Sequence, residues 1–155
     1  MRTEKLFQEI YNENYSRVIG LCMGYVAGDE DLAKDLVQEV FIKVWNNLGQ
    51  FRHQSKASTW IYRITVNTCL EQLKRRKPLT LKVDPEDDLP HDHTEEQNKY
   101  NKMYQCIDKL SATNKSIIIL ELEGLPQAEI AAVTGISHEA VRTRIHRIKE
   151  QHQNV

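Results

Sequence analysis

Residues 124–150, GLPQAEIAAVTGISHEAVRTRIHRIKE, constrain the fold more than any other stretch of the chain. Pro126 suits the first turn of a helix, where its missing N–H is no loss. The helix it opens, Gln127 to Thr134, carries Ile130, Ala131 and Val133 as its apolar positions. Gly135 supplies the left-handed corner that ends such a helix. Ser137 is then an N-cap for a second helix, His138 to about Glu150. There Val141, Ile145 and Ile148 are four and three apart and form one buried stripe. Arg142, Thr143, His146, Arg147 and Lys149 fall on the other faces. Two short helices, a Gly-containing turn and a basic second helix form a helix-turn-helix pattern, which points to DNA.

A net charge of −1 conflicts with that reading only as an average. Residues 29–50 carry two basic and five acidic groups, and 51–78 carry seven basic and one acidic. Residues 79–98 carry one basic and seven acidic, while 137–149 carry four basic and one acidic. Alternation of this kind points to several surfaces with different partners.

The remaining periodicity is helical throughout. Leu6, Phe7, Ile10, Tyr11, Val18, Ile19 and Cys22 place a helix over Glu4 to about Met23. Gly20, Gly24 and Gly28 repeat every four residues and indicate one helix packed closely on another. The apolar run there is too short to cross a bilayer. Asp29 caps a second helix reaching about Leu48. Its buried stripe is Leu32, Leu36, Val37, Val40, Phe41, Val44, Trp45 and Leu48. Asp35, Gln38, Glu39, Ile42 and Asn46 face outward. Single exposed apolar residues are common, yet Ile42 among acids and amides also fits a protein-binding face.

Ser58 or Thr59 is expected to cap a third helix, Trp60 to about Lys77, after a polar turn containing Arg52, His53 and Lys56. Lys74, Arg75, Arg76 and Lys77 close it before Pro78. Those cations favour a helix C-terminus, and following Trp60, Tyr62, Arg63 and Asn67 they also suit nucleic acid. Aromatic faces stack on unpaired bases at about 1–3 kcal/mol each while Lys and Arg hold phosphates. Trp60 fits both a core position and a stacking platform.

Residues 79–98 read as an acidic, Pro-containing flexible linker, with helices resuming at about Thr94. Tyr100, Met103, Tyr104, Ile107 and Leu110 form one stripe. Ser111 interrupts it, and Asn114 to Glu123 brings Ile117, Ile118, Leu120 and Leu122. The fold class is all-α: two small helical domains, 1–78 and 99–155, joined by the acidic linker 79–98. The three cysteines are odd in number and form no CxxC pair, so reduced, partly buried thiols are expected. His91 and His93 lack further nearby ligands. No cofactor or metal is expected, and no phosphate loop or nucleophile-and-base signature indicates an enzyme. The start carries no signal-peptide pattern, so a cytoplasmic protein without membrane insertion is expected.

DLVQEVFIKVW (residues 35–45), FRHQSKASTWIYRITVNTCLEQLKRRK (51–77), the acidic linker and the helix-turn-helix occur in the order and spacing of bacterial sigma factors. The chain resembles the minimal two-domain kind, the extracytoplasmic-function (ECF) class, over nearly its whole length. The resemblance implies a core RNA polymerase subunit that selects promoters and helps to open DNA. Region 2 would be about 7–77 and region 4 about 100–150. Asp35, Gln38, Glu39 and Ile42 would dock on the clamp helices of the beta-prime subunit. Arg52, Lys56, Trp60, Arg63 and Asn67 would meet the non-template strand, where a base is flipped out to be read. Lys74, Arg75, Arg76 and Lys77 would hold phosphates. Ser137, His138, Glu139, Arg142 and Thr143 would contact upstream promoter DNA in the major groove. Arg144, His146, Arg147 and Lys149 would bind its backbone or pack. Glu139 occupies a position often small in the family and can accept from cytosine N4. Leu110-Ser111 stands where the family often has Leu-Pro. The linker would run through the polymerase near its active centre. An anti-sigma factor is the family's usual control. The alternative is a stand-alone helix-turn-helix regulator, which would bind duplex DNA tightly by itself.

Overall fold

The computed structural model describes residues 2–51, 56–76 and 95–151, and in them the chain forms seven α-helices. They are α1 (Arg2–Tyr25), α2 (Glu30–Asn46), α3 (Ala57–Arg76), α4 (Glu95–Asp108), α5 (Ala112–Leu122), α6 (Gln127–Thr134) and α7 (His138–Gln151), with a 3-10 turn at Leu48–Gln50. Helices α1, α2 and α3 pack mutually into one module, and α4 to α7 form the second. The all-α expectation holds. The proposed linker lies outside the described residues except for its end, where α4 begins at Glu95.

The caps follow from local chemistry. Asp29 accepts from Leu32 N at 3.2 Å and so starts α2. It satisfies one of the first-turn donors that have no partner within the helix. Ser111 does the same for α5, accepting from Asn114 N at 3.3 Å. The residue read as an interruption is therefore a cap. Ser137 accepts from Ala140 N at 3.1 Å and starts α7 as expected. Gly135 ends α6 with φ +79°, a left-handed corner that costs glycine nothing. Pro126 stands one position earlier than expected, at the N-cap, with its carbonyl accepting from Ile130 N at 2.9 Å.

Three local expectations are corrected. Helix α3 starts at Ala57, so Ser58 and Thr59 lie within its first turn and cap nothing. Trp45 is 43% exposed, not part of the buried stripe. It lies at the rim, edge-on to Phe7 with ring centroids 5.2 Å apart. Leu122 is likewise exposed at the end of α5. In both cases the helical period is right, but the stripe runs past the edge of the partner that would cover it.

The two modules share one continuous hydrophobic core. Helix α1 packs on α4 and α5, and α3 packs on α6. Gly24 is the closest approach: a Cβ there would stand 2.9 Å from Ile119 Cγ1 of α5. A Cβ on Gly20 would collide with the Glu123 carboxylate, and one on Gly28 would stand 2.9 Å from Tyr104 Cε2 of α4. Gly20 and Gly24 thus mark helix packing, as their spacing predicts, whereas Gly28 lies past the end of α1 in a turn with φ +83°. Tyr25, wholly buried, donates to Ser116 Oγ at 2.5 Å across the same seam. Burial pushes the Tyr25 phenol far above its ordinary range, so it remains a donor. Burial also raises the Glu123 carboxyl, with Arg17 working in the opposite direction.

Cys22 and Cys69 are buried free thiols and Cys106 is partly buried, in line with the sequence reading. The Cys69 thiol lies 3.7 Å from Cys22 Sγ. That hydrogen bond, then burial, pushes the Cys69 thiol up. No described helix is long and apolar enough to cross a membrane.

Two substitutions test the helix-turn-helix corner. Gly135→Ala should cost about 1 kcal/mol because of its positive φ. Ser137→Ala should cost about 1 kcal/mol through loss of the cap. Urea unfolding reads both, and an unchanged midpoint would refute the assignment. Glu123 provides a pH test. Its raised pKa means that the folded chain loses stability as this carboxyl ionises with rising pH. Relative to wild type, Glu123→Gln should gain up to about 1 kcal/mol at pH 7 and nothing below the usual carboxylate range.

Candidate nucleic-acid interface

Three exposed surfaces carry the predicted site residues. The first is the outer face of α2. Asp35, Gln38 and Asn46 are exposed there, and Ile42 is 54% exposed. The structure brings Asp35, Gln38 and Ile42 together on this face. Glu39 turns toward α3, with its Oε1 3.9 Å from Arg75 Nη2. Arg75 also reaches Glu71 Oε2 at 3.7 Å, and Lys43 Nζ reaches the same oxygen at 3.3 Å. Such solvent-screened pairs are each worth under about 1 kcal/mol. They orient Arg75 toward α2 rather than strengthen the fold.

Beside this face lies an open groove of about 570 Å³ between α1 and α2. Phe7, Tyr11, Tyr15, Phe41, Ile42 and Trp45 line its apolar part, with Lys34 and Gln38 at its polar side. Tyr11 and Phe41 rings lie 4.7 Å apart. The groove was not read from the sequence. Its signal was available in the four-residue spacing of Phe7, Tyr11 and Tyr15 against that of Phe41 and Trp45.

The second surface is α3. Trp60 is half-buried, packs on the core and leans on Phe51 with ring centroids 5.1 Å apart. Packing holds the indole and leaves part of it accessible. Lys56, Arg63, Asn67, Lys74 and Arg75 are exposed. Arg63 and Asn67 are one turn apart and share a face. Arg76 is the last residue of α3, whereas Arg52 and Lys77 lie outside the described residues. Arg63 Nε donates to Ala132 O of α6 at 2.9 Å. That carbonyl is among the last four of α6, to which the helix supplies no N–H donor. A cation is favourable at this negative helix end.

The third surface is α7. Val141, Ile145 and Ile148 are buried as expected and turn the opposite face outward. Ser137, His138, Glu139, Arg142, Thr143, His146 and Arg147 are all exposed. Glu139, Arg142, Thr143 and His146 follow three- and four-residue spacing and make one stripe. Thr143 Oγ1 donates to Glu139 O at 3.0 Å. His146 Nε2 lies 3.1 Å from Glu150 Oε1. Arg144 and Lys149 turn back instead. Arg144 Nη1 donates to Asn114 Oδ1 at 2.9 Å, and Lys149 Nζ reaches Glu121 Oε1 at 3.4 Å. They brace α7 on α5. The open cleft beside α7, about 550 Å³, adds Asn114 and Gln151 to Ser137, Glu139, Thr143 and Arg147. Asn114 belongs to α5, so no pattern within the helix-turn-helix reveals it.

Among the described residues no group of three His, Cys, Asp or Glu side chains could hold a metal ion. His91 and His93 lie outside the described residues. The arrangement offers surfaces for recognition: exposed cations, an apolar groove and a presented helix.

Comparison with known proteins identifies both modules. Residues 10–78 match the family model of sigma-70 region 2, and residues 100–151 match that of sigma-70 region 4. The ECF RNA polymerase sigma factor SigW of Bacillus subtilis is 29% identical over 93% of this chain and 85% of its own. The ECF RNA polymerase sigma-E factor of Haemophilus influenzae is 30% identical over 97% and 87%. Among solved structures, CnrH in complex with the cytosolic domain of CnrY superposes with a TM-score of 0.72 at 21% identity, covering 95% of this chain and 84% of that one. The sigma factor RpoE of Bartonella quintana, in complex with the anti-sigma factor NepR, gives 0.70 at 20% identity, covering 94% and 93%. Both helical modules and their order therefore place the chain in the sigma-70 family, as an ECF sigma factor, a subunit that directs RNA polymerase to promoters.

Proposed function

We propose that the three surfaces divide the work of this sigma factor among named residues. The α2 face docks on the clamp helices of the polymerase beta-prime subunit. Asp35, Gln38, Glu39 and Ile42 make the contact. An apolar residue 54% exposed among acids and amides is the observation that carries this assignment. Interface cores favour such an apolar anchor within a polar rim.

Helix α3 and the residues before it hold the opened non-template strand. Trp60 supplies an aromatic surface that its packing fixes in advance, which lowers the ordering cost of binding. Arg52, Lys56, Arg63 and Asn67 meet that strand, and Lys74 to Lys77 grip phosphates. Helix α7 reads the upstream duplex through Ser137, His138, Glu139, Arg142 and Thr143, with His146 and Arg147 toward the backbone. Four cations and one acid over residues 137–149 neutralise few phosphates, so independent duplex binding is weak. Polymerase supplies the remaining affinity.

The domain limits are 1–78 for the polymerase-docking and strand-reading part and 99–155 for the upstream reader. Residues 79–98 pass through the enzyme between them. The protein acts in the cytoplasm by binding alone, with no covalent chemistry or cofactor of its own. Two of the proteins that share its fold were solved with CnrY and NepR respectively. An anti-sigma factor is accordingly the proposed regulator.

Three measurements check these roles. Asp35→Lys combined with Ile42→Ala should abolish binding to core polymerase while helix content stays constant. Undiminished affinity for core would refute the docking face. Arg142→Ala should weaken use of the upstream element by about tenfold in run-off transcription. Unchanged promoter choice and strength would remove α7 from recognition. Trp60→Ala should impair open-complex formation more than initial duplex binding, and an equal loss in both would make Trp60 purely structural.

A further inference from the structure

Helix α7 presents an acid at the middle of the face it turns outward. At about 3.6 residues per turn, Glu139 and Thr143 lie opposite the buried stripe of Val141, Ile145 and Ile148. Arg142 and Arg147 flank them, one on each side. Most other charged groups of α7 are engaged: Arg144 by Asn114, Lys149 by Glu121, and His146 by Glu150. Among the described residues, nothing hydrogen-bonds or ion-pairs with the charged ends of Glu139, Arg142 and Arg147. Thr143 Oγ1 commits its proton to Glu139 O at 3.0 Å. Glu139 and Thr143 therefore offer DNA oxygen acceptors and a methyl group, and no hydrogen-bond donor.

An acceptor-only centre has few complements in the major groove. Guanine presents N7 and O6 there and thymine presents O4, all acceptors. Adenine sets its N6 amine beside the N7 acceptor, whereas cytosine presents its N4 amine alone. A carboxylate pressed against an acceptor loses water and gains no bond. Against cytosine N4 it gains a charge-assisted hydrogen bond. We infer that Glu139 makes α7 selective for cytosine at the base pair that the centre of its exposed face meets, by rejecting the other bases as much as by binding this one. The inference rests on the proposed placement of α7 in the major groove of the upstream duplex. Specificity of this kind uses an unpaired charge against the wrong partner. Arg142 and Arg147 on the two flanks offset the repulsion between that carboxylate and the phosphates bordering the groove. An acid in the first turn of a helix also stabilises its N-terminus. That contribution is the same whatever DNA is bound, so base selectivity separates the two roles.

The test uses holoenzyme assembled from core polymerase and the full chain, in wild-type, Glu139→Ala, Glu139→Gln and Arg142→Ala forms. Circular dichroism confirms that helix content is retained. The templates carry randomised promoter elements and a transcribed barcode, and sequencing the transcripts gives the base preference at every position. The wild-type chain should favour cytosine at one upstream position by about tenfold, within the range of one good base contact. Glu139→Ala should erase the preference at that position alone and raise the use of templates with other bases there. Glu139→Gln, whose amide pairs with adenine N6 and N7, should move the preference toward adenine. A base profile shared by wild type and Glu139→Ala, or a uniform loss at every upstream position, would overturn the inference and leave Glu139 a helix-stabilising acid. Failure of the underlying placement looks different. Wild-type holoenzyme would then show no upstream preference, or one that neither Glu139→Ala nor Arg142→Ala alters, and either result removes both readings. An upstream preference that Arg142→Ala weakens and Glu139→Ala leaves intact removes only the role given to Glu139.

Discussion

The absence of a Cβ at Gly24 allows Ile119 of α5 to rest against the backbone of α1. Much of the molecule's shape follows from that contact. Once α5 lies there, Glu123 falls over Gly20 and Ser116 meets the Tyr25 hydroxyl. Helix α6 is then carried onto α3, within reach of Arg63. Two small cores merge into one, so each module covers apolar surface that the other would otherwise expose to water.

The exposed faces of α2, α3 and α7 are what this packing leaves outside. Helix α7 buries Val141, Ile145 and Ile148, and geometry alone then presents Arg142, Thr143 and His146. Arg144 and Lys149 are spent on bracing α7 to α5, so charge on the helix does not translate directly into charge offered to DNA. On α2 the same logic leaves Ile42 and Trp45 uncovered beside an aromatic groove. The near-neutral net charge conceals this division, because acidic and basic groups occupy different surfaces.

Much of the site was legible in the sequence because its signals are local. Gly135 and Ser137 act through their own φ and hydroxyl, and each does in the structure what its residue type predicts. The period of α7 assigned its buried and exposed residues correctly. Ile42 stood out as an apolar residue on a polar face, and it is exposed. Misreadings arose where a partner element decides. Trp45 follows the buried period yet lies at the rim, because α1 covers only part of it. Ser58 and Thr59 look like caps, yet α3 begins before them.

The sequence by itself determined the helical class, the helix-turn-helix, the family resemblance and the glycine face of α1. Each is written in spacing, capping chemistry or backbone freedom within a short stretch, and such signals survive in one dimension. Only the tertiary structure decided what that glycine face meets, that Arg63 caps α6, and which cations of α7 brace rather than reach outward. Arg63 and Ala132 are 69 residues apart in the chain, and no periodicity links them. Their bond exists because two separately specified modules pack with one particular alignment. A contact between modules depends on the relative placement of whole helices, and that placement is set by shape complementarity at Gly24 and Ile119 rather than by any motif.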